Sequence, residues 1–395
     1  MKNASPQFVG HILFPHPVRL AIVLVSILAL GNSSERLGAQ ESNISGSADL
    51  ALRYPAWTND VVYWESSVLL DDEDGTPPKA RLARPALEIL AIRHADRTTT
   101  LDNALRLDPS HPSTLIQQSP SVTAIKKSEF YKSPNAAQSY RHRTGNENEW
   151  LLYAPGRWFH DRNIEVTYRA KLIEDAKPIQ SVLGYLPRTM QRLLDGEPVQ
   201  IAISGDSIST GLDASKTANA NPHQEGYVEL LAQQLRSEFK SEIKVNNRSV
   251  PGWSVANGNE DVQNLLASPH DLVIIAYGMN DVGRRDPKWF HDQLHSLIQK
   301  TRTLSPDAEI VLVSPMLGNS EWIHTPFEMF EKYSDEMRKL VGPGIAMADV
   351  TAVWTWMNQR KHFFDMTGNG LNHPNDFGHR VYAQCILQLL PPPSK

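Results

Sequence analysis

The second half of the chain alternates short apolar runs with helix-patterned segments, and that alternation most narrowly limits its fold. Apolar runs end at Ser204 and recur at 243–247, 272–276, 310–314 and 345–350. Between and after them, helical spacing marks segments near 225–239, 261–267, 287–304, 327–340 and 377–390. An earlier helical pattern over 179–194 leads into the first run and carries a break signal at Pro187. Short strands that are apolar on both faces need cover on both faces, which the helices of a parallel sheet supply. Five such strands predict a doubly wound α/β domain over 176–395.

The region before it, 56–175, has a β texture. Val61-Val62-Tyr63-Trp64, Val68-Leu69-Leu70 and 87–92 are short β-prone runs. The clearest strand is 164–170, where Ile164, Val166, Tyr168 and Ala170 alternate with Glu165, Thr167 and Arg169. The first set is expected to face a core and the second to face water. The proline-bearing polar stretches 109–121 and 133–148 read as loops. Together these features predict a small, jelly-roll-like β-sandwich.

At the N-terminus, residues 20–30 (LAIVLVSILAL) are almost purely apolar and follow Arg19. The run is too short to span a bilayer and fits the apolar core of a signal peptide. A cleavage site after Ala39 is expected, with 40–55 as a linker, so the mature protein would be secreted or periplasmic, without stable membrane insertion. The 395-residue chain carries a net charge of −5. Loss of residues 1–39 removes three basic and one acidic residue, leaving −7. Such a balance argues against nucleic acid as a partner. The single cysteine, Cys385, cannot form an intrachain disulfide and lies among apolar residues of the last helical pattern.

Chemistry-bearing residues fall just past the ends of the apolar runs, where an open α/β sheet places its ligand site. Ser207 sits in Gly205-Asp206-Ser207-Ile208 after the first run, Gly252 follows the second, and Asn280 lies in Gly278-Met279-Asn280-Asp281 after the third. His373, in Asn372-His373-Pro374-Asn375, precedes the last helical pattern. A serine is a poor nucleophile until a base takes its proton, and histidine titrates in the right range. Negative charge developing on an attacked carbonyl needs preorganised donors. The N–H groups of Ser207 and Gly252 and the amide of Asn280 are candidates. Singly, each residue also reads as a cap or turn. In this order they point to catalysis.

Ser, Gly, Asn and His in that order resemble the SGNH (GDSL-type) hydrolase superfamily, over roughly 195–395. The resemblance implies a flavodoxin-like three-layer α/β/α fold and cleavage of esters through an acyl-serine. It implies Ser207 as nucleophile, His373 as base, and Ser207, Gly252 and Asn280 as the oxyanion hole. The family usually carries an aspartate three residues before the histidine, and here that residue is Gly370. A Ser–His dyad is therefore expected, with Asn369, the backbone near Gly370, Asp365 or Asp376 orienting His373.

A β-rich leader domain before an SGNH domain resembles bacterial two-domain carbohydrate acetylesterases. The segment Trp158-Phe159-His160-Asp161-Arg162 resembles an element of their N-terminal domains. The expected substrate is an acylated carbohydrate or another small ester, with Trp253 and Trp322, and also Trp289, as stacking candidates. No cofactor or metal is implied. His291 and His295 share a helix face, but no third ligand is evident and the pair reads as solvated. Two rivals stand. One is a lipase or thioesterase of the same superfamily. The other is an inactive carbohydrate-binding protein.

Overall fold

A computed structural model of the protein describes residues 52–171 and 184–393, apart from residues 54, 102 and 142. The signal-peptide reading, nearly all of the linker and the boundary near 175 lie outside the described residues. The described residues all fall in one compact unit.

Among the described residues the β-rich region holds ten strands: β1 (Val61–Asp71), β2 (Lys79–Arg81), β3 (Ala86–His94), β4 (Leu105–Leu107), β5 (Thr114–Gln117), β6 (Ala124–Lys126), β7 (Tyr131–Lys132), β8 (Ser139–Tyr140), β9 (Trp150–Leu152) and β10 (Asn163–Ala170). Where a sandwich was expected, the strands form one seven-stranded sheet, β3-β10-β1-β2-β5-β4 with β6 beside β1, and a three-stranded sheet, β7-β9-β8. The two runs near 61 and 68 are one strand with an irregular register between Val62 and Glu65. The stretches read as loops hold β5 and β8. A one-turn helix, α1 (Arg157–His160), links β9 to β10.

The second half follows with a parallel sheet of β11 (Val199–Gly205), β12 (Ile243–Asn247), β13 (Leu272–Ala276), β14 (Glu309–Val313) and β15 (Ile345–Ala348). Its order is β12-β11-β13-β14-β15, all neighbours parallel. Counted from β11 this is 2-1-3-4-5, the flavodoxin-like order, whose switch point falls between β11 and β13. The helices are α2 (Pro187–Leu194), α3 (Tyr227–Phe239), α4 (Val255–Leu265), α5 (Pro287–Leu304), α6 (Phe327–Arg338), α7 (Val350–Asn358) and α8 (Asp376–Leu387). Helix α4 starts at Val255, ahead of the segment near 261 that the apolar spacing suggests, because Ser254 and Asn257 form a capping box. Helix α7 was not foreseen; Asp349 caps it by accepting the N–H of Ala352. Among the described residues no helix is long and apolar enough to cross a membrane. Cys385 is buried in α8.

One correction bears on function. Glu165 and Thr167 of β10, expected to face water, are buried. Helix α8 lies against this part of the sheet: Arg380 reaches Glu165 at 3.3 Å and also bonds the Trp64 carbonyl and, at 2.7 Å, Gln224. Arg97 pairs with Glu165 at 2.7 Å. Nearby, Lys361 pairs with Glu65 of β1 at 2.5 Å, both side chains fully buried. Buried charges persist only when paired and hydrogen-bonded. The polar face of β10 is therefore an interface with the α/β region.

Candidate active site

The sharp turn after β11 carries Ser207. A side chain at Gly205 would come within 2.3 Å of Ser209 Oγ, so only glycine fits there. The Asp206 carboxylate accepts the N–H of Ile208 at 2.9 Å, and the N–H of Leu212 donates to the Ser207 carbonyl at 3.2 Å. Ser207 Oγ lies 2.9 Å from His373 Nε2. On the far side of the ring, His373 Nδ1 lies 2.7 Å from Asp213 Oδ2. An ionised carboxylate can only accept, so Nδ1 carries the proton and Nε2 is free to take one from Ser207. Ser, His and Asp thus stand in line.

This corrects the expected dyad. Asp213, six residues after Ser207 in sequence, orients the imidazole. Burial pushes its carboxyl up, but the hydrogen bond and charge of His373, the Gly156 N–H and the charge of His160 outweigh it, and the net pKa is lowered. The four anticipated orienters are spent elsewhere. Asn369 Oδ1 accepts the N–H groups of Leu371, Asn372 and His373. The Gly370 carbonyl accepts Asn319 Nδ2 at 3.0 Å. Asp365 accepts the N–H groups of Val68 and His362. Asp376 accepts the N–H of Ser215. Asn369 shapes the backbone carrying His373, whereas the others brace neighbouring elements.

The donor candidates occupy the other flank. Gly252 has φ +83°, in a turn closed by Trp253 N–H to the Val250 carbonyl at 3.1 Å. The N–H of Val250 donates to the Gly205 carbonyl at 3.2 Å, which ties this turn to the end of β11. A side chain at Gly252 would meet nothing within 4 Å, so the glycine serves its backbone angle and leaves open approach. Asn280 is exposed and donates one amide hydrogen to the Trp253 carbonyl at 2.9 Å. Its second amide hydrogen remains for a ligand. Because β12, β11 and β13 are adjacent, Gly252, Ser207 and Asn280 emerge side by side at the switch point.

Two further aspartates lie under this surface. Burial raises Asp206 to about 6 and Asp281 to about 7. Asp281 accepts the N–H of Val255 at 3.1 Å, holding α4 against the Asn280 loop. Its second oxygen is buried without a partner.

Trp322 meets Tyr140 edge-on at 5.3 Å, and Tyr140 in turn meets Tyr153 at 5.8 Å. Asn319, three residues before Trp322, donates to the Gly370 carbonyl, so this aromatic group borders the His373 loop. Trp289 instead lies under Arg284. His291 pairs with Glu336 at 3.3 Å, which ties it to α6 rather than leaving it solvated. Among the described residues no group of three or more His, Cys, Asp or Glu side chains is arranged to hold a metal ion.

Residues 203–381 match the model of the GDSL-like lipase/acylhydrolase family. That span includes Ser207, Asp213, Gly252, Asn280 and His373. The protein is a serine hydrolase acting on ester bonds, and it resembles the SGNH hydrolases. No curated protein matches the chain. Among solved structures, an acetylxylan esterase from Geobacillus stearothermophilus is 20% identical, with 49% of this chain and 95% of that one covered and a TM-score of 0.40. An alpha/beta hydrolase enzyme from the metagenome of Lake Arreo, Spain, is 24% identical, with 49% and 94% covered and a TM-score of 0.41. A two-domain esterase active on acetylated mannans is 23% identical, with 54% of each chain covered and a TM-score of 0.42.

Proposed function

We propose that the protein is an exported esterase that removes acetyl or similarly short acyl groups from carbohydrate. Ser207 attacks the acyl carbonyl while His373 takes its proton. Asp213 stabilises the resulting imidazolium. The N–H groups of Ser207 and Gly252 and the amide of Asn280 receive the oxyanion. The proton returns to the departing sugar hydroxyl, and water then releases the acid from the acyl-serine. The observation that carries this reading is the Ser207–His373–Asp213 line, with contacts of 2.9 and 2.7 Å. An inactive binding protein has no need of such a relay.

The short-acyl preference is supported by the polar segments that follow the Gly252 and Asn280 motifs, 257–261 and 283–288, which offer a long alkyl chain little apolar cover. Carbohydrate as the acyl carrier is supported by the Tyr140–Trp322 group beside the His373 loop, where Tyr140 is 42% exposed. Aromatic faces of this kind suit the apolar faces of sugar rings. Export is supported by the apolar run at 20–30.

The test is hydrolysis of 4-nitrophenyl acetate and octanoate, and acetate release from acetylated xylan and mannan, by the protein and by Ser207→Ala. Acetate cleavage abolished in the variant, with octanoate slow, is the expected result. Fast octanoate cleavage would favour a lipase-type enzyme. Equal rates for protein and variant would remove Ser207 as nucleophile.

A further inference from the structure

Asp213 is held largely by residues outside the α/β region. Its Oδ1 accepts the N–H of Gly156 at 3.1 Å, and its carbonyl lies 3.0 Å from His160 Nε2. A carbonyl only accepts, so His160 Nε2 carries a hydrogen and donates it. The preceding carbonyl, that of Leu212, takes a hydrogen from His379 Nε2 at 3.2 Å. Two buried imidazoles, one from α1 and one from α8, thus grip two successive peptide groups. Asp213 itself has φ +59°, a backbone angle that an aspartate keeps only when its surroundings impose it.

The same segment reaches the base. The Ala154 N–H donates to the Asn369 carbonyl at 2.9 Å. Gly370 lies so near β9 and α1 that a side chain there would come within 2.7 Å of the Leu152 carbonyl and 3.3 Å of the Phe159 ring. Residues 152–160 therefore touch both the turn that carries the carboxylate and the loop that carries the imidazole.

We infer that residues 152–160 are a positioning element of the proton relay, with His160 and the Gly156 N–H setting where Asp213 meets His373. This rests on the reading of Ser207, His373 and Asp213 as the relay. It gives the β-rich region a catalytic duty separate from any contact with substrate. His160 touches no reacting atom and acts through Asp213. Displacement of a relay group by about 1 Å costs on the order of 100-fold in rate.

The experiment is a double-mutant cycle on the full chain, read with 4-nitrophenyl acetate. His160→Ala is expected to lower kcat about 10- to 100-fold with little change in KM. His160→Gln, which can still donate to the carbonyl, is expected to recover much of that loss. In an Asp213→Ala background, His160→Ala is expected to cause no further fall, because the group it positions is gone. A kcat within about twofold of the parent for folded His160→Ala would overturn the inference. So would an undiminished loss in the Asp213→Ala background, which would mark a merely structural role. Should His160→Ala fail to fold, His160→Asn, too short to reach the carbonyl, replaces it with the same expected outcomes. Wild-type activity in Asp213→Ala would sink both this inference and the relay, whereas loss in Asp213→Ala with none in His160→Ala would sink this inference alone.

Discussion

On one flank of Ser207 the imidazole and carboxylate are buried, 9% exposed at His373 and 7% at Asp213, and packed against the β-rich region. On the other flank Gly252 and Asn280 are exposed, and no side chain crowds the glycine. The contrast follows from what each flank must do. A proton relay works between fixed partners, where low dielectric strengthens each charged hydrogen bond and a misplaced ring is useless. Oxyanion donors must instead stay open to a ligand that comes and goes. In the proposed mechanism Gly252 and Asn280 supply such donors, and the Trp253 carbonyl holds the Asn280 amide from behind.

The largest effect should come from breaking the buried flank. Asp213→Asn is expected to lower kcat about 10⁴-fold with KM little changed, as when the carboxylate of a serine triad is replaced. A loss below tenfold, measured by steady-state kinetics on an acetyl ester, would return the site to a dyad. Breaking the open flank should cost less. Asn280→Ala is expected to lower kcat about 10²- to 10³-fold, since one donor of three is removed. The fold should be unaffected, because Asn280 is exposed; circular dichroism and thermal melting check this.

The third effect sharpens the comparison by asking what supports the open flank. Asp281 holds its proton up to about pH 7 in the fold but loses it near 3.8 when unfolded. Between those values the folded state binds the extra proton, so its stability falls as pH rises from about 4 to about 7. Asp206, raised to about 6, acts with the same sign over a narrower window. Asp281→Asn cannot ionise and can still accept the Val255 N–H. It is expected to melt higher than the parent at pH 8, with the difference shrinking toward pH 4. An identical pH dependence of the melting temperature in parent and variant would refute this.

The five strands of the parallel sheet, and the placing of Ser207, Gly252 and Asn280 just past strand ends, were legible in the sequence, because short apolar runs and loop motifs are local signals. Asp213 was not. The glycine at 370 marks a missing carboxylate, but no local signal says which distant residue replaces it. Asp365 and Asp376 were the natural candidates there, and both turn out to brace backbone. The carboxylate comes from beside the serine, 160 residues from its partner ring, and only tertiary structure joins them. The burial of Glu165 was missed for a related reason. Strand periodicity shows that a face is polar, not that another element will cover it.

Ser207 and Asp213 ride on one short turn, but Asp213 is fixed there only once the Gly156 N–H and His160 reach it. The imidazole that bridges them arrives from a loop 166 residues beyond the serine. Closing so long a loop is an event of late folding, slow compared with closing the turn. A partly folded chain, or one whose 367–373 segment has come loose on heating, keeps its serine but cannot ionise it. Activity therefore reports complete folding, and because residues 367–373 are almost wholly buried its loss on warming should coincide with the unfolding of the sheet.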